Sequence, residues 1–156
     1  MSPDEIPLEV SATVILVSKD HKVLIVKRLP EGRWANKWAV IGGHLKEEDG
    51  IFGGYPDIKY FPAEYCVIRE LEEETGIKIY DWVDKLKYLA TIVTLGPNNH
   101  RLILSYYLNL DKNADEYVVH LTEAQEYKWI CGEDILYYDF VPDIGGEIRE
   151  VLNKCS

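Results

Sequence analysis

Residues 69–77, Arg-Glu-Leu-Glu-Glu-Glu-Thr-Gly-Ile, constrain this chain more than any other stretch. Wound as a helix at 100° per residue, Glu70, Glu73 and Glu74 fall within one arc of roughly 100°. Val67, Ile68 and Leu71 lie together on the neighbouring arc, while Glu72 points nearly away from the clustered acids. Gly76 supplies the left-handed stop that ends many helices, so the acids occupy the last turns. That end of a helix is already negative. When exposed, the pairs Glu70/Glu73 and Glu70/Glu74 also repel, by roughly 0.2–0.5 kcal/mol each. A solvated acidic face would interleave lysines, and Arg69 is the one cation in the stretch. A divalent cation turns these penalties into binding energy, because hard ions take carboxylate oxygens.

The surrounding chain sets bounds on what such a helix can serve. Its 156 residues suit one domain, here taken as 1–156. A net charge of −10, with 27 acids against 17 bases, disfavours nucleic acid or an anionic membrane as partner. Phosphates remain open, since a bound metal brings positive charge locally. Cys66, Cys131 and Cys155 show no paired spacing, so neither a disulfide framework nor a zinc site is expected. Met1 to Val10 has no signal-peptide run and no apolar stretch reaches membrane-span length, which makes the cytoplasm the expected compartment.

Val10–Val17 reads as a strand apolar on both faces and therefore central in a sheet. A second apolar run, Val23–Val26, ends in Lys27-Arg28, and a polar loop from Leu29 to Asn36 carries Arg33 and Trp34. Trp38–Ile41 reads as a short strand running into Gly42-Gly43, where the glycines imply a turn or a close backbone approach. Asp49–Phe61 mixes Gly50, Gly53, Gly54 and Pro56 with Ile51, Phe52, Tyr55, Ile58, Tyr60 and Phe61. Its glycines argue against a regular element, while its aromatics demand something to pack on. Pro62 fits the first turn of the helix that follows and ends near Thr75, with Ala63 and Cys66 as small residues close to the acidic arc. Tyr88–Leu95 and Leu102–Leu110 read as strands of a hairpin joined through Gly96–His100. Glu126–Cys131 is expected as a last strand, Glu133–Tyr137 as a helical turn, and Asp143–Asn153 as an amphipathic helix with Ile144, Ile148, Val151 and Leu152 inward. The expected class is α+β, a mixed sheet between helices.

Residues 69–77 match without a mismatch the Arg-Glu-aliphatic-x-Glu-Glu-x-Gly-aliphatic core of the Nudix box. The chain therefore resembles the Nudix hydrolases (MutT-like), which also place a Gly-Gly pair upstream, as Trp38–Gly43 does here. Two departures stand out. The family spaces its motif glycine fourteen residues before the arginine, whereas Gly43 precedes Arg69 by twenty-six, so about twelve residues split the box. The family's first glutamate then has Glu47, Glu48 and Asp49 as candidates, and Ile41 stands where many members carry proline.

The resemblance implies a Nudix-type α/β/α sandwich that cleaves a nucleoside diphosphate linked to another moiety, with Mg²⁺, or Mn²⁺, as cofactor. It implies Glu70, Glu73, Glu74 and the Gly43 carbonyl as metal ligands, and Arg69 as the residue that orients a glutamate, beside Glu73 at i+4. Glu70 is the first choice of general base, with Glu123 and Glu126 as alternatives on a later loop. Arg28, Trp34, His44 and Tyr55 are the expected substrate contacts: Arg28 and His44 for phosphate, Trp34 for stacking on a base, and Tyr55 in an inserted lid. A Nudix-fold isoprenyl diphosphate isomerase needs a catalytic cysteine that Cys66 does not obviously supply, and a sensor that only binds nucleotides should have lost a helix acid. The substrate is expected to be a nucleotide (triphosphate, nucleotide sugar or ADP-ribose class), acted on by a monomer or homodimer.

Overall fold

The computed structural model describes residues 7–155, and everything below concerns those residues. β1 (Leu8–Val17) is the strand about which the others are laid. Ala12, Val14 and Leu16 point into one core cluster and Ile15 and Val17 into a second, so β1 is buried on both faces as its unbroken apolar run predicts. β2 (Val23–Lys27) splits its residues the same way, with Leu24 and Val26 on one side and Val23 and Ile25 on the other.

Among the described residues, seven strands form one mixed sheet in the order β3 (Trp38–Ala39), β2, β1, β8 (His100–Asn109), β7 (Lys87–Leu95). β4 (Ile41–His44) adds to β1 and β9 (Glu126–Ile130) adds to β2. β8 runs parallel to β1 from Leu8↔His100 to Val17↔Asn109, and β7 returns antiparallel to it. The expected hairpin is there, closed by the Gly96 N–H on the Asn99 carbonyl at 3.1 Å.

One face of the sheet is covered by α1 (Pro62–Thr75), which buries Ala63, Cys66, Val67, Ile68 and Leu71 against Ala12, Leu16, Leu24 and Leu108. Each such aliphatic side chain contributes roughly 1.5–3 kcal/mol by leaving water. Pro62 sits in the first turn, and Gly76 caps the helix with its N–H on the Glu72 carbonyl. The other face is covered by α2 (Ile144–Lys154) through Ile148, Val151 and Leu152. The architecture is thus α+β, a mixed sheet between helices. No helix is long and apolar enough to cross a membrane.

Two local expectations are corrected. The strand expected to stop at Ile41 breaks at Val40 instead and resumes through Gly42 and Gly43, which pair with Thr13 and Ala12. The glycines are strand residues that admit a close approach, not a turn. The segment expected to be irregular, 49–61, forms a small hairpin, β5 (Ile51–Phe52) against β6 (Lys59–Tyr60). It closes at Gly50, whose φ of 101° suits glycine alone, and Lys59 Nζ ties its base to the Glu47 carbonyl at 2.5 Å. Ile51, Phe52, Tyr55, Ile58, Tyr60 and Phe61 are all exposed on it.

Candidate active site

Arg69 organises the amino-proximal half of the site. Its Nε donates to Asp49 Oδ1 at 2.8 Å and its Nη2 to Asp49 Oδ2 at 3.0 Å, a bidentate pair. Its Nη1 donates to Glu70 at 2.9 Å and to Glu73 at 3.0 Å, and its Nη2 also reaches the His44 carbonyl at 3.0 Å. The guanidinium is thereby held fully protonated, above its ordinary value, chiefly by the Asp49 carboxylate. Asp49 is buried, which by itself raises its pKa, but Arg69 and the Lys46 N–H outweigh burial and hold the carboxyl below the usual range. Of the three acids left open at the motif's first glutamate, Asp49 is therefore the one that grips the arginine. Glu48 stands off at 3.7 Å and is exposed. The run Glu47-Glu48-Asp49 carries no local pattern that singles Asp49 out, and only the corner at Gly50 marks it.

Gly43 meets the same cluster from β4. A Cβ built there would land on the Glu70 carboxylate, so glycine is required for the helix to approach the strand. The Cys66 Sγ–H donates toward the Gly43 carbonyl at 3.6 Å and the His44 carbonyl at 3.5 Å. Burial pushes that thiol up to about 12, so Cys66 is a packing residue and no thiolate nucleophile.

Glu70 and Glu74 share the opposite side of α1's acidic arc. Burial raises the Glu70 carboxyl, Arg69 opposes, and Glu73 and Glu123 add to the rise. Burial also lifts Glu74, to about 8, with Glu70 and Glu123 as the next causes and the Gly42 N–H opposing. Glu123 lines one cleft with Glu74, whereas Glu126 lies on β9, paired with Lys27 in the sheet. Arg28, Gly42, Glu74, Leu121, Glu123 and Ala124 line one cleft of about 60 Å³. Trp34, at φ 63°, carries Arg33 over its ring at 4.8 Å on the loop beyond Arg28. The His44 ring is bonded to Ser11 Oγ at 3.2 Å, and Tyr55 stands at the tip of the β5–β6 hairpin, 69% exposed. Among the described residues, neither side chain hydrogen-bonds to Glu70 or Glu74.

A desolvated acid cluster with one arginine beside it suits a hard divalent cation, and the donors are all oxygens. As they stand, no three His, Cys, Asp or Glu side chains among the described residues form a ready chelating group. The carboxylates are engaged with Arg69 and with one another.

Comparison with known proteins gives the family and the fold. A family model described as the NUDIX domain matches residues 7–151. The chain belongs to the Nudix hydrolase superfamily. It is 29% identical to an RNA pyrophosphohydrolase of Pelagibacter ubique (strain HTCC1062), covering 95% of this chain and 96% of that one. It is 24% identical to an 8-oxo-dGTP diphosphatase of Buchnera aphidicola, with 89% of each chain covered. Among solved structures, a bifunctional NMN adenylyltransferase/ADP ribose pyrophosphatase of Francisella tularensis, complexed with AMP and a Mn ion, superposes with a TM-score of 0.71 at 20% identity. That match covers 99% of this chain and 44% of the longer one, and shows a shared fold.

Proposed function

We propose that this chain, as a single domain in the cytoplasm, is a metal-dependent pyrophosphohydrolase that cleaves a phosphoric anhydride within a nucleotide. The observation that carries the reading is the cleft that Glu74 and Glu123 line together with Arg28, with Glu70 one turn earlier on α1. Family membership and the names of both curated relatives support it. Glu70, Glu73, Glu74 and the Gly43 carbonyl would hold Mg²⁺ or Mn²⁺ after their side chains turn from Arg69 and from one another. When bound, the cation neutralises charge on the phosphate oxygens as it builds in the transition state.

The protein's own groups supply the rest. Arg28 binds a phosphate oxygen at the cleft mouth, and Trp34 offers an aromatic face to a base. Glu70 accepts the proton of the attacking water, with Glu123 the alternative acceptor because it lines the cleft with Glu74 and Arg28. Arg69 gathers the Glu70 and Glu73 carboxylates at the start of the acidic arc, from which they would turn to the cation. His44 and Tyr55 stand at the margins of this arrangement as substrate contacts.

The test is phosphate or nucleotide release from a panel of nucleoside triphosphates, nucleotide sugars, ADP-ribose and dinucleoside polyphosphates, with Mg²⁺, Mn²⁺ or a chelator present. Hydrolysis of one class, lost with chelator and in Glu74→Gln, is the expected result. Equal rates with and without chelator would remove the metal from the mechanism.

A further inference from the structure

Among the walls of the cleft are Glu74, at the carboxyl end of α1, and Arg28, which opens the loop 28–37. Neither is joined to the other along the chain. Both are fastened to residues 120–125. At one end of this segment the His120 N–H donates to the Thr75 carbonyl at 2.8 Å and Thr122 Oγ1 donates to the Glu73 carbonyl at 2.8 Å. At the other end the Gln125 N–H donates to the Lys27 carbonyl at 2.9 Å. Gln125 Nε2 then gives one hydrogen to the Arg28 carbonyl at 2.6 Å and the other to Asn36 Oδ1 at 2.7 Å. Glu123 lies between the two anchorages and lines the cleft with Glu74 and Arg28.

The loop so held needs a brace. Trp34 and Asn36 stand at φ 63° and 64°; asparagine takes this left-handed conformation readily, but a tryptophan holds it only where its surroundings over-determine it. The neck of the loop is closed by the Arg28 N–H on the Lys37 carbonyl at 2.9 Å and the Asn36 N–H on the Leu29 carbonyl at 3.2 Å. Gln125 spans that same neck from outside the loop, and both of its amide hydrogens are used there. Glutamine meets this demand because it offers two donors and no charge.

We infer that Thr122 and Gln125 are positioning residues for the hydrolysis: Gln125 sets Arg28 against the cleft, and Thr122 sets Glu123 against Glu74. The inference rests on the pyrophosphohydrolase reading. Gln125 acts on substrate binding and Thr122 on the chemical step, so their effects divide between KM and kcat.

The experiment compares Gln125→Glu and Thr122→Val with wild type on the best substrate of the panel, with amide hydrogen exchange over residues 29–37 as a second measurement. Gln125→Glu keeps the shape but points a carboxylate at a carbonyl. It should raise KM about tenfold with kcat within about twofold, and speed exchange across the loop. Thr122→Val should lower kcat about tenfold with KM held, and Thr122→Ser should restore it. Variants that only melt earlier, with kcat and KM of the folded fraction unchanged, overturn the inference. Should wild type hydrolyse nothing on the panel, the functional reading falls, and exchange then decides the brace alone: an unchanged loop in Gln125→Glu overturns it.

Discussion

Asp49 and Arg69 meet as two parallel hydrogen bonds of 2.8 and 3.0 Å, with the Asp49 side chain 2% exposed and that of Arg69 14%. The pair joins the last residue before the inserted hairpin to the first residue of the acidic run. Because Arg69 also holds Glu70 and Glu73, the position of both helix acids depends on a carboxylate twenty residues earlier.

Asp49→Asn tests that dependence. It removes one partner of a buried ion pair and should cost about 3 kcal/mol of unfolding free energy, measured by urea denaturation. Activity should fall as well, because Arg69 is freed to move with its two glutamates. A variant of native stability and native kcat would show that the pair orients nothing.

Replacing Glu73 or Glu74 by Gln should lower activity by two or more orders of magnitude, ~3 kcal/mol or more in barrier terms. The fold should hold, since glutamine keeps the size of the side chain and its capacity to hydrogen-bond. Near-normal turnover of both variants at saturating Mg²⁺ would end the assignment of these residues as ligands.

The pH dependence follows from Glu74. Its carboxyl titrates at about 8 in the fold, against an ordinary 4.5. Between those values the folded chain binds a proton that the unfolded chain has released, so this group's stabilisation is complete below about 4.5 and is lost as pH rises through about 8. The metal-free protein should therefore melt progressively earlier from pH 5 to pH 8. Because a cation needs the ionised form, Mg²⁺ should raise the melting temperature more at pH 8 than at pH 6. Glu74→Gln should flatten both trends; equal slopes in the variant and wild type would place the titration elsewhere.

Much of this geometry could be read from residue pattern. α1 was legible because Pro62, Gly76 and an apolar arc agree, and β1 and β8 because their apolar residues leave only one arrangement in a sheet. The reach of Gly43 was not, since what fills the space of its missing side chain is Glu70, twenty-seven residues on. The β5–β6 hairpin has strands of two residues, too short for any period to show. Thr122 and Gln125 were invisible for a different reason. Their partners include the main-chain carbonyls of Glu73 and Arg28, which no choice of side chain announces.

The exposed aromatics of the hairpin yield one more prediction. Replacing Ile51–Tyr60 with two or three glycines should raise KM or change substrate preference if this segment covers the cleft as a lid. If instead the substrate profile is kept and the mass in solution changes, the surface is a contact between subunits and the lid idea fails.

The chain leaves the motif at Asp49 and comes back at Pro62, and Gly50 lets departure and return lie side by side: a Cβ on Gly50 would stand 2.8 Å from the Tyr60 carbonyl and 3.3 Å from Pro62 Cα. The extra residues are consequently a detour that adds length without adding displacement. A lineage could lengthen, trim or exchange this excursion while the glycine strand and the carboxylate helix keep their mutual register, so length varies here without moving the acids.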